Sequence, residues 1–165
     1  MTVTRTTLAL VLALSACKTA HDEIPGTYTG DLVSNNQASR MQNKKPDGKG
    51  GLVADVTSYS GGRTTTGARV VIRDVGTSHG NPTLSADLNG ICSLRFQLLG
   101  DGQLASNLEM STCGCVLEGQ RVDGQTTVMG SYRDGALSLD VSVSLRGTGA
   151  YAGGCSYTFK GKEPL

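Results

Sequence analysis

Tryptophan is absent from this 165-residue chain, and the only other aromatics are five Tyr and two Phe. That scarcity removes the aromatic platforms on which single-stranded nucleic acids stack. An excess of one charge is lacking too: 15 Lys+Arg stand against 14 Asp+Glu, a formal net charge of +1. Displacing phosphate counterions needs a strongly basic face, so no nucleic-acid partner is expected. No Cys-x-x-Cys pair occurs, and no His lies near Cys92, Cys113, Cys115 or Cys155 in sequence. This argues against zinc and against a dithiol redox centre; no metal and no cofactor are expected. Helical periodicity is almost missing. What is abundant is Gly, 23 residues of it, with frequent Val, Thr and Ser. That composition points to strands and tight turns in one domain.

The N-terminus reads as an address. Arg5 precedes an apolar run over residues 8–14, followed by the small residues Ser15 and Ala16. This is the pattern of a secretory signal, too short to span a bilayer. Leu14-Ser15-Ala16-Cys17 resembles the lipobox of bacterial lipoprotein precursors. The resemblance implies that Cys17 is diacylated on sulfur and becomes the first residue after cleavage. Each buried methylene contributes about 0.8 kcal/mol, so two acyl chains hold a protein firmly at a membrane. Lys18 stands where the resemblance would place an Asp in an inner-membrane lipoprotein, which implies the outer membrane where there is one. The expected organisation is a signal peptide over 1–16, a lipidated tether over 17–25 and a domain over 26–165. Removing Arg5 with the signal leaves a formally neutral chain.

An even count of four further cysteines in an exported protein predicts two disulfides. Three pairings are open. Cys92 with Cys113 would clip one hairpin, although strict alternation puts the two on opposite faces and demands a bulge near Thr112. Cys115 with Cys155 would then join non-adjacent strands.

Turn chemistry organises the rest. Asp134-Gly135 predicts a two-residue hairpin turn, with Tyr132 opposite Leu137, Gly130 opposite Leu139 and Val128 opposite Val141. Gly100-Asp101-Gly102 predicts a three-residue loop setting Leu98 against Leu104 and Leu94 against Leu108. Asp123-Gly124 predicts a third turn, with Cys115 beside Tyr132. Further strands are expected over 26–34, 52–59, 68–75, 83–88 and 151–160. Consecutive short turns favour an all-β, antiparallel up-and-down β-barrel of eight to ten strands, with a β-sandwich as the alternative. Gly130 and Gly153 fit the bends of a closing sheet. Gly26-Thr27-Tyr28-Thr29-Gly30 at one end and Tyr157-Thr158-Phe159-Lys160-Gly161 at the other resemble bacterial calycin-like, lipocalin-like barrel lipoproteins. This implies ligand binding inside a barrel, where Tyr132, Leu137, Leu139, Val141, Val143 and Leu145 are the candidate lining.

Candidate chemistry is thin. Ser78-His79 lies in a Gly-x-Ser-x-Gly pattern over 76–80, but without the strand-turn-helix of a nucleophile elbow. Cys113-Gly114-Cys115 lacks the helix that would activate a thiol, and no pair of carboxylates is singled out. No enzyme is expected. Residues 35–51 read as a polar loop, in which Arg40, Lys44, Lys45 and Lys49 against Asp47 offer a basic partner-binding element. Residues 60–67 read as a hairpin connection. Three functions follow: a non-enzymatic envelope module that binds a partner or contributes structurally, a carrier of a small apolar ligand, or an inhibitor of a hydrolase such as lysozyme. The last rests on Gly147-Thr148-Gly149-Ala150-Tyr151 and Lys160-Gly161-Lys162-Glu163, which resemble stretches of small lysozyme-inhibiting barrel lipoproteins.

Overall fold

A computed structural model describes residues 23–78, 81–106 and 111–163. Cys17, the signal segment, His79 and Leu108 lie outside the described residues. Among the described residues nine strands form: β1 (Gly26–Pro46), β2 (Leu52–Ser78), β3 (Asn81–Leu88), β4 (Cys92–Leu98), β5 (Gln103–Ser106), β6 (Thr112–Leu117), β7 (Gln120–Arg133), β8 (Ala136–Ser144) and β9 (Tyr151–Lys162). Consecutive strands pair antiparallel, β5 with β6 excepted, and β9 returns to pair with β1. β5 and β6 share one place in the ring, β5 against the end of β4 and β6 against its start, with β7 closing both from the other side. The expected all-β, up-and-down order is present, and the pairings close into a ring.

Alternation sorts the side chains. Tyr28, Leu32, Val70, Leu84, Leu94, Phe96, Leu139 and Phe159 come from all round the ring and are at most 2% exposed. They meet in one continuous apolar core. The outward positions of β1, β8 and β9 carry Ser, Thr, Asn and Lys instead, the inverse of a barrel whose outer wall faces lipid. The Asp134-Gly135 hairpin has the expected register, and both turn residues have positive φ. Leu98 pairs with Leu104 as expected.

Three expectations are corrected. Residues 35–51 are not a loop: β1 runs on to Pro46, and only 47–51 turn the chain. Residues 60–67 are not a connection either, since β2 is continuous from Leu52 to Ser78. Both stretches are polar on both faces, so hydrophobic alternation is silent there. Their strand state comes from backbone pairing, with Asn35 held between Gly62 of β2 and Ser156 of β9. The third turn is Glu118-Gly119, both at positive φ, and Asp123-Gly124 lies inside β7. Cys115 therefore pairs with Val122, not Tyr132. Gly124 serves close approach: a Cβ there would run into the carbonyl oxygen of Ser144 on β8.

The irregularity expected near Thr112 falls just before it. Thr112 pairs regularly with Ser93, and Cys113 with Cys92. The irregularity lies upstream: Phe96 pairs with Ser106 and Ser93 with Thr112, so the β5–β6 chain gains three residues on β4. An odd gain flips the face. Cys92 and Cys113 thereby both turn inward, at 1% and 0% exposure.

The two ends of the barrel differ. The chain enters at Gly26, beside the Asp134-Gly135 turn, whose Gly135 carbonyl accepts from the Glu163 N–H at 3.4 Å. Tyr28 secures this entry by donating its hydroxyl to the Ile24 carbonyl at 2.7 Å. At the opposite end β9 last pairs with β1 at Arg40↔Tyr151, whereas β1 and β2 continue to Pro46↔Leu52. They project as a two-stranded ribbon about 20 Å beyond the wall.

Candidate functional site

The ribbon is built from a strong turn and a stitched base. Asp47 Oδ1 accepts the N–H groups of Lys49 at 2.7 Å and Gly51 at 2.8 Å, with Gly48 and Gly50 supplying the positive φ. These two donors hold the Asp47 carboxyl below its ordinary range. Lys45 bridges to Asp55 across the strands at 2.6 Å, and this hydrogen bond raises the Lys45 ammonium. At the base, Met41 N–H donates to Ala150 O at 2.8 Å and the Arg40 guanidinium sits 5.6 Å from the Tyr151 ring centroid. Asn36 donates to the Val116 carbonyl at 3.2 Å. Tyr59 leans toward Glu118, and burial first, then that carboxylate, pushes its phenol up.

The two faces of the ribbon are unlike. Across one face, Met41 pairs with Val56 and Pro46 with Leu52. Met41, Val56 and Leu52 are 60%, 51% and 64% exposed. The other face carries Arg40, Lys45 and Asp55, with Val53, 57% exposed, opposite Lys45. Of the basic residues expected to bind a partner, Arg40, Lys44 and Lys45 therefore lie on strand β1 and Lys49 in the turn, and they do not converge. Arg40 is occupied by Tyr151, Lys45 by Asp55. The apolar residues beside them were overlooked in the sequence. Leu52, Ala54 and Val56 stand two apart, and that spacing was the available signal.

Below the ribbon the outer wall is concave. Neutral rows cross it, Asn35–Ser156–Ser142–Thr127 and Gln37–Gly154–Ser144–Gln125, around a groove of about 740 Å³. A second, smaller hollow of about 490 Å³ lies near the entry end, rimmed by Arg133, Lys160 and Lys162 over Ala136, Ser138 and Gly161.

The candidate ligand lining is placed inside. Leu137, Leu139, Val141, Val143 and Leu145 are 0–3% exposed within the core cluster, and Tyr132 packs against it. The Tyr132 ring meets Tyr28 edge-on at 6.3 Å. The four cysteines pair as Cys92–Cys113 and Cys115–Cys155, so none of them is a free thiol. Comparison of the chain with family models, with curated proteins and with solved structures returns no match.

Proposed function

We propose that this chain is a lipid-anchored envelope lipoprotein, a non-enzymatic binding module that offers its ribbon to a protein partner of the envelope. The observation that carries the reading is polarity along the molecule. The exposed apolar face of Met41, Leu52 and Val56 stands at the end of the barrel remote from Gly26, where the tether begins. A module fixed by Cys17 would present that face away from its own bilayer. Exposed apolar surface rimmed by charge is the ordinary mark of a protein contact. The row from Leu137 to Leu145 belongs to the packed core, which favours the exterior over the lumen as the binding surface.

The test has an anchoring arm and a binding arm. Wild type is expected to carry acyl mass on its N-terminal peptide and to partition into detergent, and Cys17→Ser to lose both. A photo-crosslinking side chain at Val56 is expected to yield a product with a different protein, lost with Met41→Glu, while one at Ser138 yields none. An unacylated wild type overturns the anchor. Equal products from Val56 and Ser138 overturn the ribbon.

A further inference from the structure

Among the described residues, β2 has a neighbour on one side only over most of its length. β1 pairs with it from Leu52 to Ile72, but β3 does not join the other side before Val70. An open sheet edge therefore runs from Leu52 to the bulge at Gly67, whose φ is 67°. Natural sheets blunt such edges with Lys, Pro or an early break. Residues 52–66 contain neither Lys nor Pro, and Val, Thr and Tyr recur in them. Their charge is confined to Asp55 and Arg63, placed four residues either side of Tyr59 and on the same face of the strand.

We propose that this edge pairs antiparallel with the same edge of a second copy of the chain, with Tyr59 on the two-fold axis. In that register Asp55 of each copy faces Arg63 of the other, so the pair forms twice. Leu52 faces Thr66, the last residue before the bulge, and the pairing takes up the whole open edge. Opposed residues are an even number of positions apart, so N–H groups directed at the edge meet others directed likewise. Gly61 and Gly62 stand opposite Thr57 and Val56, leaving room for the branched side chains. Sliding the register by two residues in either direction sets Asp55 and Arg63 against neutral residues. A self-complementary surface of this kind is what a two-fold dimer requires.

The proposal goes beyond the anchored binding module and does not depend on it, because its readout is oligomeric state. Sedimentation equilibrium of the purified full chain in non-ionic detergent is expected to give a dimer. Asp55→Arg or Arg63→Asp alone sets like charges opposite at two places and is expected to raise the dissociation constant about tenfold to hundredfold. The double variant restores both pairs and is expected to return near wild type. Asp55→Arg also removes the internal bridge to Lys45, but the double variant shares that loss, so its recovery reports the pair between copies. Intact disulfides by mass verify folding of each variant. A wild type that stays monomeric at about 100 µM overturns the proposal. So do single reversals without effect, or a double variant no tighter than the singles.

Discussion

The hydroxyl of Tyr157 donates to the carbonyl oxygen of Gly114 at 2.6 Å, joining residues 43 positions apart. Tyr157 belongs to β9 and Gly114 to β6, strands that are not neighbours in the ring. Cys155, two positions before Tyr157, and Cys115, next to Gly114, are joined by a disulfide. A polar bond and a covalent one thus tie the same two strands through the core. Tyr157→Phe leaves the Gly114 carbonyl buried without its donor, which costs about 1–3 kcal/mol. Urea denaturation of the oxidised variant should show that loss, and an unchanged midpoint would mean another donor takes its place.

The two disulfides close loops of different length. Cys92–Cys113 spans 21 positions and Cys115–Cys155 spans 40. On chain entropy alone they contribute about 3 and about 4 kcal/mol. Cys115→Ala/Cys155→Ala should therefore lower the denaturation midpoint further than Cys92→Ala/Cys113→Ala. It also unties β9 from β6, whereas the other pair joins strands already hydrogen-bonded at Cys92↔Cys113. A difference of no more than about 1 kcal/mol would show that the link through the core adds nothing beyond loop closure.

How much of this was legible from sequence depends on whether local chemistry or a distant strand decides. The β7–β8 hairpin was readable because Asp134-Gly135 fixes the turn and Leu137, Leu139, Val141 and Val143 fix the face. Asp123-Gly124 misled because the same dipeptide serves here for close packing against Ser144, a contact that only the folded sheet reveals. The strand state of the stretches that lead into the ribbon was illegible for a related reason. Asn35 to Arg40 and Ser58 to Thr66 hold no apolar alternation, and their pairing with each other is a long-range event. The site suffered with it, since Met41 and Val56 become one patch only when β1 and β2 are in register.

Gly153 illustrates a second kind of hidden constraint. Its φ is 82°, and a Cβ there would run into the Gln37 carbonyl oxygen on β1. Gly153→Ala should cost about 2–4 kcal/mol, since positive φ and overpacking each penalise the side chain. The strain falls where β9 supports the ribbon base, so hydrogen exchange should rise at Ala38 and Arg40 before it rises at Leu139. Uniform acceleration would place the damage in the barrel as a whole.

Alkaline pH should weaken the fold through its phenols. Burial, with the nearby Tyr132 and Glu163, raises Tyr28 far above its ordinary value of 10.0, and burial also raises Tyr132 and Tyr157. Above that value the unfolded chain releases these protons while the folded chain keeps them. The unfolded state then binds fewer protons, so stability falls as pH rises; below it both states hold the proton and the contribution is complete. Each retained phenol costs up to about 1.4 kcal/mol per pH unit across that window. Denaturation midpoints should be level between about pH 7 and pH 9 and fall from about pH 10 upward. Tyr28→Phe starts lower, having lost the bond to the Ile24 carbonyl, but it should decline less steeply than wild type over the alkaline range. An equal slope in the two proteins would mean that Tyr28 ionises in the folded state as readily as in the unfolded one.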